Sequence, residues 1–72
     1  MPITWIKITR TVWVAGLQQY RAIVLHKDGV WLARVENLAN QDVVYPASIT
    51  FHALDGAKTW AELKLRELAH SN

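Results

Sequence analysis

Hydrophobic and polar residues follow a strand-like pattern along most of the chain and then change to a helix-like one. Residues 3–51 are rich in Val, Ile, Thr, Trp and Tyr, which favour the pleated surface of a β-sheet. Residues 54–69 are rich in Ala, Leu, Glu, Lys and Arg, which favour a helix. The pattern predicts an α+β fold, in which a three- to four-stranded antiparallel sheet carries one C-terminal helix on one face.

The clearest local signal is the dipeptide Asp28-Gly29, which separates two strand-like segments, residues 20–27 and 30–36. Asp-Gly readily adopts the positive φ angles of a type I′ turn, so it predicts a two-residue hairpin. In the register that this turn sets, Arg21 lies opposite Glu36, which is a favourable cross-strand charge pair.

The other strand-like segments flank this hairpin. Residues 3–14 predict one long first strand or a bent pair of short ones, and residues 15–19 predict a hairpin loop that contains Gly16. The length of that loop leaves open which side chains of the first strand share a face with the second. Residues 43–51 predict a fourth strand, which Pro46 places at an edge or interrupts, because proline cannot donate to the ladder.

The hairpin register sorts the side chains of the two middle strands into two faces. One face has the small and aromatic residues that suit a closely packed helix: Tyr20, Ala22, Val24, His26, Trp31, Ala33 and Val35. The matching apolar stripe of the helix, with Trp60 at its border, consists of Leu54, Ala57, Ala61, Leu65 and Leu68. A single helix of about 15 residues covers one side of such a sheet and leaves the other side, which we call the open face, exposed.

The open face is the predicted binding surface. On the two middle strands it combines aliphatic and charged side chains: Arg21, Ile23, Leu25, Lys27, Leu32, Arg34 and Glu36. The parity that we favour for the first strand adds Trp5 and Trp13. Aliphatic and aromatic side chains ringed by arginine are typical of a protein-binding hot spot. We therefore expect a partner to bind Arg21, Ile23, Leu25, Leu32, Arg34, Trp5 and Trp13.

Charge and composition narrow the class of protein. The net charge of +2 is too small for a protein whose main ligand is a phosphate backbone. The absence of cysteine excludes disulfides and cysteine-based zinc sites, so the core must consist of apolar side chains. The longest apolar run, residues 12–17, is too short to span a bilayer, and no targeting segment is recognisable. These features predict a cytoplasmic protein without membrane contact.

Residues that could carry catalysis form no motif. The histidines, His26, His52 and His70, share no metal-ligand spacing, and the serines lie in no nucleophile elbow. The three glycines form no phosphate-binding loop. We therefore expect no enzymatic activity, no cofactor and no metal site.

Short motifs along most of the chain resemble those of small phage and prophage proteins that consist of a sheet and one helix. The motifs are Trp13-Val-Ala15, Tyr20-Arg-Ala-Ile-Val24, Asp28-Gly29-Val-Trp31-Leu-Ala33 and Leu54-Asp-Gly-Ala57-Lys58-Thr-Trp60. Residues 22–51 are also similar to the strand–turn–strand segment of a type I-F anti-CRISPR protein. Such inhibitors bind the protein backbone of a CRISPR surveillance complex and block target DNA. The resemblance implies a phage-encoded accessory protein in the host cytoplasm that inhibits or modulates a host or phage protein complex.

Two other functions would use the same surface. Aromatic residues interleaved with arginine can stack the bases of single-stranded nucleic acid, although Glu36 lies among them and the basic excess is small. A homodimer made by packing two open faces would bury the same residues with no separate ligand. We favour a protein partner over a homodimer and over nucleic acid.

Overall fold

Six strands precede one helix. A computed structural model describes residues 2–70 and contains, in chain order, β1 (Trp5–Thr9), β2 (Val12–Leu17), β3 (Tyr20–Lys27), β4 (Val30–Asn37), β5 (Asp42–Tyr45), β6 (Thr50–Phe51) and α1 (Leu54–His70). All pairings are antiparallel, and β1 to β5 lie side by side in sequence order. The predicted α+β fold, an antiparallel sheet with one C-terminal helix packed on it, is confirmed. The sheet has more strands than the three to four expected.

The hairpin at Asp28-Gly29 forms the middle of the sheet. Asp28 and Gly29 have φ angles of 54° and 81°, which are the positive values that a type I′ turn requires. Strands β3 and β4 pair in the predicted register, with Arg21 opposite Glu36. The two side chains form an ion pair of 2.9 Å between Arg21 Nη2 and Glu36 Oε1. The predicted register and charge pair are confirmed.

The segment before β3 forms neither one long strand nor a bent pair: β1 and β2 are an antiparallel hairpin that reverses at Arg10 and Thr11. Strand β2 continues to Leu17, because the chain reverses within the two residues Gln18 and Gln19. Gln18 adopts a φ of 56°, the left-handed conformation that lets a tight turn form without a glycine. The predicted loop over residues 15–19 is therefore wrong for its first three residues, which belong to the ladder.

The last strand is interrupted at Pro46. Strand β5 pairs with the second half of β4, and β6 pairs with the first half, so both lie along the same edge. Residues 46–49 leave the ladder between them. The strand predicted over residues 43–51 is thus an edge strand that the proline breaks, as the missing N–H donor demands.

The core lies where small side chains of α1 meet small side chains of the sheet. On the helix, Ala57, Ala61 and Leu65 are fully buried. Their counterparts on the sheet are Ala15, Tyr20, Ala22, Val24, Ala33 and Val35. Alanine methyl groups on both surfaces allow the helix to approach the sheet closely.

Leu65 should dominate the stability of this contact. We expect Leu65→Ala to lower the free energy of unfolding by about 2–5 kcal/mol, because it leaves a cavity in a closely packed core. Leu63→Ala removes the same atoms from the same helix at a position that is 52% exposed, and it should cost less than about 1 kcal/mol. Urea unfolding followed by circular dichroism measures both. Equal losses would show that the helix does not pack on the sheet through Leu65.

Candidate binding face of the sheet

The open face lies on the side of the sheet opposite α1. Residues that pair in an antiparallel ladder share a face, so the register identifies its members. They are Ile6 and Thr9 on β1; Val12, Val14 and Gly16 on β2; Arg21, Ile23, Leu25 and Lys27 on β3; Val30, Leu32, Arg34 and Glu36 on β4; Val43 on β5; and Thr50 on β6. Five of the seven predicted site residues lie here: Arg21, Ile23, Leu25, Leu32 and Arg34.

Trp5 and Trp13 lie on the other side, under the helix, so the parity favoured for the first strand is wrong. Trp13 pairs with Val24 and Trp5 pairs with Ala15, and both partners are buried in the core. A five-residue loop would have placed Trp13 opposite Arg21. The two-residue turn after Leu17 shifts the pairing by an odd number of residues, and such a shift exchanges the faces of a strand.

Both tryptophans have structural contacts with the helix instead. Trp5 Nε1 donates a hydrogen bond of 2.7 Å to Glu62 Oε2. Lys58 Nζ lies 3.8 Å from the centre of the Trp13 ring, a cation–π contact. These contacts fasten the hairpin of β1 and β2 to α1.

The open face contains no aromatic side chain. The chain has four Trp, two Tyr and one Phe. Six of these seven lie on the covered side of the sheet, namely Trp5, Trp13, Tyr20, Trp31, Tyr45 and Phe51, and the seventh is Trp60 of the helix. The open face is therefore aliphatic, in contrast to the aromatic hot spot expected from the sequence.

Six aliphatic side chains form a continuous patch across the open face. Pairing between strands arranges them in two neighbouring rows: Ile6, Val14 and Ile23 in one, and Val12, Leu25 and Leu32 in the other. Rows of one face lie about 7 Å apart, close enough for aliphatic side chains to touch. We define these six residues as the aliphatic patch. Contiguous apolar surface of this kind typically marks an interface.

The half of the aliphatic patch that lies on β1 and β2 was not predicted from the sequence. Ile6, Val12 and Val14 share one parity in the sequence, and that alternation was the available signal. The length of the turn at Gln18 decided which side of the sheet they occupy, and no glycine or proline marks that turn.

Charged side chains border the aliphatic patch on β3 and β4. Glu36 is shared by two arginines: its Oε1 lies 2.9 Å from Arg21 Nη2 and its Oε2 lies 3.5 Å from Arg34 Nη2. Arg34 shares a row with Ile23, at the end of the patch. Within residues 2–70, Arg34 Nε is buried without a hydrogen-bond partner. This N–H is shielded from solvent, so only the exposed part of the guanidinium, on a side chain that is 39% exposed, can meet a partner beside the patch.

Other parts of the described chain give weaker evidence of a functional site. Among residues 2–70, no group of three or more His, Asp or Glu side chains is placed to hold a metal ion. Near the end of α1, Leu17, Arg66, Ala69 and His70 line a cleft of about 480 Å³ that is wide open to solvent. No helix within the described residues is long and apolar enough to cross a membrane. The open face is thus the strongest candidate site.

Comparison with known proteins gives no match: no family model, curated protein sequence or solved structure is similar to the chain at a significant level. The resemblance to phage accessory proteins and to a type I-F anti-CRISPR protein therefore stays a prediction from short motifs.

Neighbouring residues of β3 test the assignment of the two faces. We expect Val24→Thr to lower the free energy of unfolding by about 2 kcal/mol, because it buries a hydroxyl group in the core. Leu25→Thr should cost less than about 1 kcal/mol, since Leu25 lies on the open face. Threonine favours β-strands, so a change in strand propensity does not account for the difference between the two variants. A larger loss for Leu25→Thr in urea unfolding would mean that the open face is a core.

Proposed function

We propose that the chain is a non-catalytic accessory protein that binds a protein complex through its open face and thereby inhibits or modulates it. The observation that supports this proposal is the aliphatic patch, which lies on the side of the sheet away from α1 and ends at Arg34 and its ion pair. An apolar centre with a charged rim is the general arrangement of a protein–protein interface, and arginine is enriched in such interfaces.

The size of the open face suits a small specific interface. The molecule measures 35 × 23 × 18 Å along its principal axes. From strand spacing and rise per residue, the face covers on the order of 500 Å². A partner that covers all of it would bury about 1,000 Å² counted over both proteins, close to the lower limit for a specific interface.

The edges of the sheet are poorly suited to binding by strand addition. Strand β1 has five residues with Lys7 in its centre, and its pairing is irregular after Lys7. The opposite edge is broken at Pro46. Short, irregular, lysine- or proline-containing edges resist pairing with another strand. Docking through the face is therefore the better supported mode.

Nucleic acid is a poorer match for the open face. Single-strand binders combine basic residues with aromatic platforms on which bases stack. All seven aromatic side chains lie elsewhere, so the open face has no such platform. Its aliphatic side chains instead match an apolar protein surface.

The sequence resemblance suggests one class of partner, the type I-F CRISPR surveillance complex. Surfaces that bind DNA are basic. The open face is also basic, with Arg21, Lys27 and Arg34 against Glu36. Like charges repel, so the chain would bind this complex away from its DNA channel and act by hindering a conformational change or a protein contact.

A binding assay with purified type I-F complex tests that class of partner. We expect the chain to co-elute with the complex in size-exclusion chromatography whether or not target DNA is bound, because the proposed contact lies away from the DNA channel. Absence of co-elution would exclude this partner without bearing on docking by the open face.

Cross-linking tests the docking surface itself. In bacterial cells that express the chain, p-benzoylphenylalanine in place of Leu25 should form one discrete photo-cross-linked product on a denaturing gel. The same amino acid in place of Leu63, which is exposed on the helix, should not. Leu25 lies inside the aliphatic patch, so a bound partner must pass within reach of it.

A pair of charge reversals serves as control for the cross-link. Arg34→Glu should abolish the product by placing a carboxylate at the border of the aliphatic patch. Arg66→Glu makes the same change in an arginine that also pairs with a glutamate, at 3.4 Å, but lies on the helix, and it should leave the product unchanged. Circular dichroism verifies that both variants fold. Cross-linking from Leu63 alone, or equal loss in both reversals, would contradict the proposed surface.

A further inference from the structure

The charges of the chain are divided unevenly between the two sides of the sheet. The open face holds three basic residues, Arg21, Lys27 and Arg34, and one acidic residue, Glu36. The chain has eight basic and six acidic residues, so the remaining five of each sign balance. The open face therefore carries the whole formal net charge of +2.

The positive charge of the open face is only partly neutralised. Glu36 is the one carboxylate among its members, and both Arg21 and Arg34 already share it. Lys27 lies at the far end of β3 and forms no ion pair within residues 2–70. The Arg21 and Arg34 side chains are 45% and 39% exposed, so part of each guanidinium stays accessible to a partner. Further carboxylates would thus find donors on at least two sides of the aliphatic patch.

We infer that the partner of the open face is an apolar protein surface flanked by carboxylates. This inference rests on the proposed function and adds the chemistry of the partner to it. Aliphatic side chains of the partner pack on the aliphatic patch, while Asp or Glu side chains around them pair with Arg21, Arg34 and Lys27. Charge complementarity of this kind speeds association and excludes wrongly charged surfaces.

A second copy of the chain is a poor occupant for the same reason. Two open faces packed together bring a charge of +2 against another +2. One carboxylate per copy, already shared by Arg21 and Arg34, cannot neutralise three cations. The effect of salt distinguishes an acidic partner from a second copy. Salt screens the attraction to an acidic partner and weakens that binding, whereas it screens the repulsion between two copies and strengthens self-association.

A matched pair of amphipathic helical peptides tests the inference. Each has about 18 residues, with leucines in one stripe; glutamates flank the stripe in one peptide and lysines in the other. We expect the glutamate peptide to bind at least about tenfold more tightly than the lysine peptide, and to weaken several-fold between about 50 and about 300 mM NaCl. Backbone amide NMR shifts locate the contact, which should fall on the aliphatic patch and its arginines.

Two double charge reversals provide the control. Arg21→Glu with Arg34→Glu should remove or invert the preference for the glutamate peptide. Lys64→Glu with Arg66→Glu makes the same change in net charge on the helix and should preserve it. The comparison of peptides on the unchanged chain needs no variant, so the test holds even if a reversal impairs folding.

Each outcome has one meaning. Equal binding of both peptides at the open face, or a preference for lysine, would overturn the inference about charge but leave docking by the face intact. Binding of neither peptide, with a dimer that tightens with salt in analytical ultracentrifugation, would assign the face to a second copy. Binding of neither peptide by a monomer would overturn both proposals. Salt-weakened binding of single-stranded DNA that shifts the same amides and exceeds that of the glutamate peptide would assign the face to nucleic acid.

Discussion

The structure depends on the close approach of alanine side chains at the centre of the helix–sheet contact. Ala57 and Ala61 of the helix face Ala22 and Ala33 of the sheet, and all four are buried. Small residues bring the two surfaces together but contribute little apolar area each. Larger side chains of the helix and of the covered side of the sheet must therefore close the space on both flanks of the contact.

The aromatic residues do this, and their location determines the character of the open face. Trp5 and Trp13 close one flank, where Trp5 bonds to Glu62 and Trp13 stacks with Lys58. On the other flank Trp60 lies 5.8 Å from the Tyr45 ring, in an edge-on arrangement. With every aromatic ring committed to the core, the outer side of the same strands is left with branched aliphatic residues, which favour strand structure. The aliphatic character of the open face is thus a consequence of how a small domain builds a core without cysteines.

How far the sequence predicted this arrangement depends on the turns. Asp28-Gly29 has a strong and specific turn preference. The register of β3 and β4, the pair of Arg21 with Glu36 and the open-face position of five predicted site residues followed from it. The helix also followed, since its alanine and leucine stripe has a clear period. The turn at Gln18 has no such marker, because a glutamine takes the left-handed conformation there. The length of that turn sets which face of the sheet Trp5 and Trp13 occupy, and the residue types do not indicate this length.

The alternation along β3 also limits how the chain can evolve. Successive residues have different roles. Val24 is buried in the core, whereas the next residue, Leu25, lies on the open face. Substitutions at outward positions can change the chemistry of the open face at little cost to folding. An insertion or deletion of one residue within β3 or β4 would instead exchange the two sets of side chains and destroy both properties at once. The outward positions of β3 and β4 are therefore free to change by substitution, while the length of the central hairpin is held fixed.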